Sequence, residues 1–211
     1  MAQPAPNLLN PRKTPVQARS AASVDAILEA TIQVLLDVGK ERLTTTRVAQ
    51  RAGVSVGTLY QYYPNKSALL QAVLRQHFDR VLEAVETVCR EQPGKTLEEM
   101  STALIHAFLA AKMRDGKTSV ALYAVGADVE GVKLVKALEA RAGKAIAAML
   151  VTSSEPLNKD PQLVASILQA AMSGVSRRLL ESGAKEKDLH DLRRELVLFA
   201  SSYLRACSAG G

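Results

Sequence analysis

The sequence predicts an all-α protein: an N-terminal three-helix helix-turn-helix head, followed by a C-terminal helical bundle that dimerises. Three observations carry this expectation. Ala and Leu dominate a composition that is 47% hydrophobic but only 4% aromatic, with no Trp. Such a composition favours helix over sheet. Apolar residues recur at helical spacing, and no stretch alternates with the period of two that a half-buried strand needs. The breaks in that pattern carry helix punctuation, with Ser, Thr, Asp or Asn at the starts and Gly at the ends. With 211 residues the chain is long enough to bury a real core.

The elements follow in order. Residues 1–20 read as a flexible basic arm, because Pro4, Pro6, Pro11 and Pro15 oppose regular helix and Arg12, Lys13 and Arg19 add charge. A first helix, starting near Ser20 or Ser23, presents Val24, Ile27, Leu28, Ile32, Leu35 and Leu36 on one face, and Gly39 stops it. A second starts at Thr44 or Thr45, either of which can cap it, and ends at Gly53. A third starts at Ser55, another cap, and ends before Pro64. Asn65 then caps a long helix that is apolar from Leu69 to Val88 and broken at Pro93–Gly94.

Thr96 and Glu99 form a capping box for a helix that runs to about Arg114, where Asp115–Gly116 breaks it. Val120–Val125 is a further apolar segment, and Gly126–Gly131 is a weak spot. The next helix is expected at about Val132–Val151, with a loop at 153–158. Asp160 followed by Pro161 is a cap with proline at the first helical position, opening a helix to about Glu181. The last helix spans about Glu186–Cys207.

Charge and cysteine usage bound the partners. The net charge is +6, and the first 66 residues, with eight basic and four acidic side chains, hold +4 of it. A bound polyanion would therefore meet that end of the chain. Cys89 and Cys207 offer neither a disulfide framework nor a paired metal spacing, and His77, His106 and His190 are scattered, so no metal or cofactor is expected. The start of the chain lacks an apolar signal segment, and no apolar run approaches the roughly 18 residues of a membrane span. A reducing, cytoplasmic location without membrane contact is the expectation.

The second and third helices carry the motif. A helix-turn-helix needs a small residue where its helices touch, and Ala49 supplies it. It needs positive φ in the turn, which Gly53 tolerates, and an apolar return into the core, which Leu59 provides. Val56 and Gly57 keep the tip of the third helix narrow enough for its backbone to approach base edges. Thr45, Ser55, Thr58 and the Tyr hydroxyls are short groups suited to phosphate oxygens. Gln61 can pair bidentately with adenine, and a Tyr ring can touch a thymine methyl. Lys66 adds its charge to the start of the long helix, where both can face a phosphate. Arg47 and Arg51 fit a DNA-facing surface or an ordinary solvated one.

The segment Val54–Lys66, with Leu43–Gly53 before it, resembles the DNA-reading stretch of the tetracycline-repressor (TetR) family of bacterial regulators. The resemblance covers about Asp25–Leu74 and is architectural beyond it. It implies DNA contacts at Thr45, Thr46, Gly57, Thr58, Tyr60, Gln61, Tyr62 and Lys66, and a core role for Tyr63. With Arg47, Ser55 and Val56 these make up the expected interface. The resemblance also implies a homodimer on palindromic operator duplex, and a small-molecule effector in the C-terminal part. The chain then divides into the arm (1–20), a DNA-binding domain (21–66) and a ligand-sensing and dimerisation domain (67–211).

Two helices carry the expected dimer face: Leu163, Ile167, Ala170 and Gly174 on one, Leu192, Leu196, Phe199 and Tyr203 at three- and four-residue spacing on the other. Intrachain core would look the same. Phe78, His106, Phe108, Met113, Tyr123, Met149 and Met172 are the expected pocket lining, suited to a largely apolar molecule, although each also fits plain core. The expectation is thus a repressor, not an enzyme, released by a small apolar effector. Two other readings remain: a helical ligand-binding or scaffold protein with a vestigial head, and a serine hydrolase using Ser55. Gly53, Ser55 and Gly57 do match a nucleophile elbow, but that pattern works only on a strand-turn-helix with ordered Asp and His partners.

Overall fold

Caps and glycines set the limits of the helices. The computed structural model describes residues 18–183 and 186–208, and among them nine helices follow one another. The first, α1 (Ala18–Arg42), is interrupted at Gly39, whose φ of 74° and ψ of 168° leave helical space. The helix includes Ala18–Ser20, assigned to the arm by the sequence; the rest of that arm lies outside the described residues. Thr44 rather than Thr45 caps α2 (Thr45–Arg51), its Oγ1 accepting from the Arg47 N–H at 3.3 Å. Ser55 caps α3 (Val56–Tyr62) by accepting from the Thr58 N–H at 2.9 Å. Asn65 Oδ1 accepts from the Ala68 N–H at 2.8 Å and opens α4 (Lys66–Glu91).

The capping box of α5 (Leu97–Met113) is reciprocal: the Glu99 N–H donates to Thr96 Oγ1, and the Thr96 N–H donates to Glu99 Oε2. Asp115 accepts from the Thr118 N–H at 3.1 Å, so Asp115–Gly116 begins a helix as well as ending one. That helix is α6 (Gly116–Gly126), four residues longer at its start than the apolar segment suggested. Next, α7 (Val129–Val151) starts three residues before Val132. The first turn of a helix needs no apolar residue, so periodicity alone locates its start late. Asp160 caps α8 (Pro161–Glu181), and α9 (Glu186–Ala206) follows. An isolated bridge joins Leu157 to Ser208.

Within the described residues the chain forms two units, one of 18–77 with 121–134, the other of 78–120 with 135–208. In the first, α1 packs on α2 and α2 on α3. Ile27, Leu43, Val48, Leu59 and Leu69 are closed off from solvent in its core. The end of α1 is fastened to the α6–α7 turn: Lys40 Nζ donates to Asp128 Oδ1 at 2.6 Å and to the Ala124 carbonyl at 3.2 Å. Gly131 lets that turn close. A Cβ there would stand 2.5 Å from the Val125 carbonyl oxygen and 2.9 Å from Gly126 Cα, both backbone atoms that cannot swing away. Gly131→Ala is accordingly expected to destabilise the fold by about 1–3 kcal/mol, the usual range for overpacking. Chemical denaturation measures this, and an unchanged midpoint would refute the close approach.

In the second unit α5 packs on α8 and α9, and α8 on α9. Met100, Leu104, Ile105, Leu109, Ile146, Leu150 and Leu204 fill its core. Glu155 Oε2 accepts from the Leu97 N–H at 2.9 Å, tying the 153–158 loop to the start of α5. Both thiols are buried. Burial, then the Glu86 carboxylate, push the Cys89 thiol up to about 11, so it packs as a small apolar side chain. No described helix is long and apolar enough to cross a membrane.

Candidate nucleic-acid interface and bundle cavity

The turn between α2 and α3 is a Schellman motif. The Val54 N–H donates to the Ala49 carbonyl at 3.0 Å and the Gly53 N–H to the Gln50 carbonyl at 3.3 Å. This pairing requires the left-handed φ of 68° that Gly53 adopts. Ala49, Val48 and Leu59 are buried beneath it, as the spacing predicts. Tyr63 is buried too, and burial, then the Asp25 carboxylate, push its phenol up to about 12.

This scaffold presents one outer face. Thr46, Arg47, Ser55, Gly57, Tyr60 and Gln61 are exposed, while Thr45, Val56, Thr58 and Lys66 are half-buried. Thr45 Oγ1 and the Tyr60 hydroxyl are hydrogen-bonded at 3.1 Å, with either able to donate, which holds the Tyr60 ring at the surface. Tyr62 departs from expectation. It is 9% exposed against 41% for Tyr60, because its position on α3 turns it toward the core with Leu59. Lys66 is also less open than expected, since its Nζ donates to the Glu41 carbonyl at 3.2 Å and ties the start of α4 to the end of α1. Arg51 bonds Asp37 at 2.7 Å and Gln33 at 3.3 Å, pairing with α1. Ser55 sits between two helices with Thr58 Oγ1 at 2.8 Å, a helix cap rather than a nucleophile on a strand-turn-helix.

Gly57 has an ordinary helical conformation and open space around it. A Cβ there would meet only Ser55 Oγ, at 3.7 Å. No contact among the described residues requires glycine at this exposed tip.

A cavity of about 60 Å³ lies in the second unit. Phe78, Phe108 and Met172 line it as expected, with Val81, Leu82, Val85, Leu138 and Ile146. The other four expected residues do not. His106 is exposed, Met113 and Met149 pack in the surrounding core, and Tyr123 belongs to the first unit. A type-based choice of Met and aromatic residues could not tell which helix face each occupies. The sequence reading also missed Lys112, which lines the cavity with Glu139, Gln169 and Ser173. Its position four residues after Phe108, and so on the same helix face, was the available signal.

On α8, Leu163, Ile167, Ala170 and Gly174 are exposed, as an unpartnered face would be. Phe199 on α9 is 47% exposed and stacks on Tyr203 with ring centroids 6.3 Å apart. Leu196 departs from expectation: it is 4% exposed and belongs to the intrachain core, against which Leu192 and Tyr203 also pack.

The described geometry coincides with two family models. Residues 27–73 match the model for bacterial regulatory proteins of the tetR family, and residues 96–204, more than half of the chain, match the tetracyclin repressor-like C-terminal domain. The chain belongs to the tetR family. The first match contains every residue of the outer face, and the second contains most of the cavity. Among relatives, this tetR-family chain is 34% identical over 89 residues to the HTH-type transcriptional repressor KstR of Rhodococcus jostii, covering 42% of this chain and 40% of that one. It is 29% identical over 79 residues to the HTH-type transcriptional regulator BetI of Escherichia coli, covering 37% and 40% respectively. The matched segment therefore spans about 40% of those relatives. The solved structure of SmeT, repressor of the Stenotrophomonas maltophilia multidrug efflux pump SmeDEF, superposes with a TM-score of 0.69 at 22% identity, covering 91% of this chain and 93% of SmeT.

Proposed function

We propose that the protein is a sequence-specific DNA-binding transcriptional repressor. It works in the cytoplasm as a homodimer on a palindromic operator and releases it on binding a small effector; it is not an enzyme. The observation that carries this reading is Gly57, a glycine at the exposed tip of α3 that no neighbour among the described residues requires. A bare backbone there is what close approach to base edges needs. Around it, Thr45, Thr46, Arg47, Ser55, Val56, Thr58, Tyr60, Gln61 and Lys66 form the DNA face, with Gln61 as base reader and Thr45, Thr58 and Lys66 as phosphate contacts. The exposed α8 and α9 side chains support a dimer. The largely apolar cavity supports an effector, and a neighbour of the same fold has been solved as a SmeT–triclosan complex.

Fluorescence anisotropy on duplexes from the promoter of its own gene and its neighbours tests this. Affinity should fall steeply with salt, because phosphate contacts release counterions. Gln61→Ala is expected to relax base preference at one position per half-site, by about 1–3 kcal/mol of discrimination. Lys66→Ala should weaken all duplexes alike. Salt-insensitive binding would overturn the DNA reading, and the reverse mutational pattern would overturn the role assignment.

A further inference from the structure

The cavity is small for the task that the effector reading gives it. About 60 Å³ lies well below the roughly 300–1,000 Å³ of sites that hold drug-sized ligands, so a wall has to move before such a molecule enters. Helices α4, α5, α7 and α8 supply the walls. Of these, α5 and α8 pack on each other and on α9, and α4 adds Val81, Val85 and Cys89 to the same core.

Helix α7 changes character at Gly143. Beyond that residue, Ile146, Ala147, Met149 and Leu150 are buried in the core. Before it, Leu138 and Ala142 line the cavity, while Lys136, Ala137, Glu139, Ala140 and Arg141 are exposed. Apolar burial therefore anchors the second half of the helix and only a narrow stripe of the first. Glycine at the junction is, after proline, the residue that a helix interior holds least firmly.

Two polar ties hold the first half in place. Arg141 grips Glu86 of α4 bidentately, Nε donating to Oε1 at 2.6 Å and Nη2 to Oε2 at 2.7 Å. Glu86 follows Val85 and Arg141 precedes Ala142, so this pair stands beside a lining residue on both helices. On the other flank the Gln169 amide of α8 donates to the Glu139 carbonyl at 3.0 Å. Gly143 makes room for that amide, since a Cβ there would stand 3.2 Å from Gln169 Oε1. The Arg141 side chain is 62% exposed and that of Glu86 18%. Exposed polar ties fix a geometry and part at far lower cost than a buried apolar face.

We propose that residues 135–142 of α7 form a strapped lid on the cavity, hinged at Gly143, and that an effector enters when the Glu86–Arg141 and Glu139–Gln169 ties part. The proposal rests on the effector reading above and adds how the site is reached. Arg141, Glu86 and Gln169 are positioning residues in it: they set how often the lid opens.

Hydrogen exchange measured by mass spectrometry on the full chain, without DNA, tests the lid. In Glu86→Gln and in Arg141→Met, amides of residues 135–142 are expected to exchange about three- to tenfold faster than in the unsubstituted chain. Those of 145–151, α5 and α9 should keep their rates. Gln169→Ala should act in the same direction, and Lys144→Met, which removes an exposed charge just beyond the hinge, should change nothing. Entry is followed by stopped-flow fluorescence with N-phenyl-1-naphthylamine, a neutral apolar probe larger than the cavity. Its association should speed up in Glu86→Gln by about the factor seen in exchange, because the open fraction limits uptake. Unchanged exchange in 135–142, acceleration spread equally through α5 and α9, the same effect from Lys144→Met, or equal uptake rates with and without the ion pair would overturn the lid. Accelerated exchange confined to 135–142, with no uptake of the probe by any variant, would leave the lid standing and count against the cavity as the effector site.

Discussion

Gly57→Leu is expected to reduce operator affinity roughly a hundredfold or more while leaving the fold intact. The free protein has room for the added side chain, since the nearest atom to a Cβ at this position is 3.7 Å away. Leaving glycine behind within a helix removes an entropic penalty, so melting should stay level or rise, by up to about 1 kcal/mol for Gly57→Ala. The cost falls on the complex. A branched side chain at the tip of α3 lifts the helix from the groove, and each disturbed base pair costs about 1–3 kcal/mol. A dimer suffers this in both half-sites, which gives the hundredfold figure as a low estimate. Thermal melting and anisotropy on one preparation check both directions. Retained operator affinity, or a fall in melting temperature comparable to a core substitution, would sink the assignment of Gly57 to the DNA surface.

Ile167→Glu combined with Phe199→Glu is expected to convert the proposed homodimer to folded monomer and to weaken binding to a palindromic duplex roughly a thousandfold or more. Both side chains are exposed within the chain, at 41% and 47%, so charge at these positions should change monomer stability by only about 0.5 kcal/mol each. Leu163, four residues before Ile167, continues the same α8 face and is 54% exposed. Gly174 supplies the same argument as Gly57: a Cβ there would meet nothing within 4 Å, so close approach of a second copy accounts for glycine better than intrachain packing does. Two carboxylates per copy facing their symmetry mates would not survive desolvation in such an interface. A monomer reads one half-site and loses the product of two affinities. Sedimentation equilibrium at micromolar concentration, with anisotropy on full and half operators, measures both effects. A variant that stays dimeric would place the interface elsewhere.

The legibility of the site followed the locality of its signals. Gly53, Ala49 and Leu59 could be read from the sequence because a helix-turn-helix imposes fixed spacing over a few residues. The caps at Ser55, Asn65, Thr96 and Asp160 were legible for the same reason, as each acts on an N–H two or three residues ahead. Tyr62 faces the core against expectation because Tyr60, Tyr62 and Tyr63, three tyrosines within four positions, differ only in helical phase, and the phase depends on where α3 starts and ends. Lys66 was read as a phosphate contact, and its tie to the Glu41 carbonyl spans 25 positions of sequence, beyond any local pattern.

The cavity was the least legible part. Phe78, Phe108 and Met172 were found, and His106, Met113, Tyr123 and Met149 were not brought to it. All seven have the right chemistry, but lining a cavity is a property of faces from α4, α5, α7 and α8 together. Lys112 escaped because a lysine in sequence reads as surface, and only its enclosure changes its meaning. Leu196 and Phe199 make the same point, three residues apart on α9 with one buried and the other exposed.

By itself, then, the sequence determined the helices, their caps, the turn at Gly53 and the narrow-tipped α3, since all of these arise from interactions within a few residues. Tertiary structure alone decided which apolar side chains of α8 and α9 close the core and which remain outward, and that Lys112 is buried at the cavity. Burial is settled between helices, by residues far apart in the chain, and no local spacing records it.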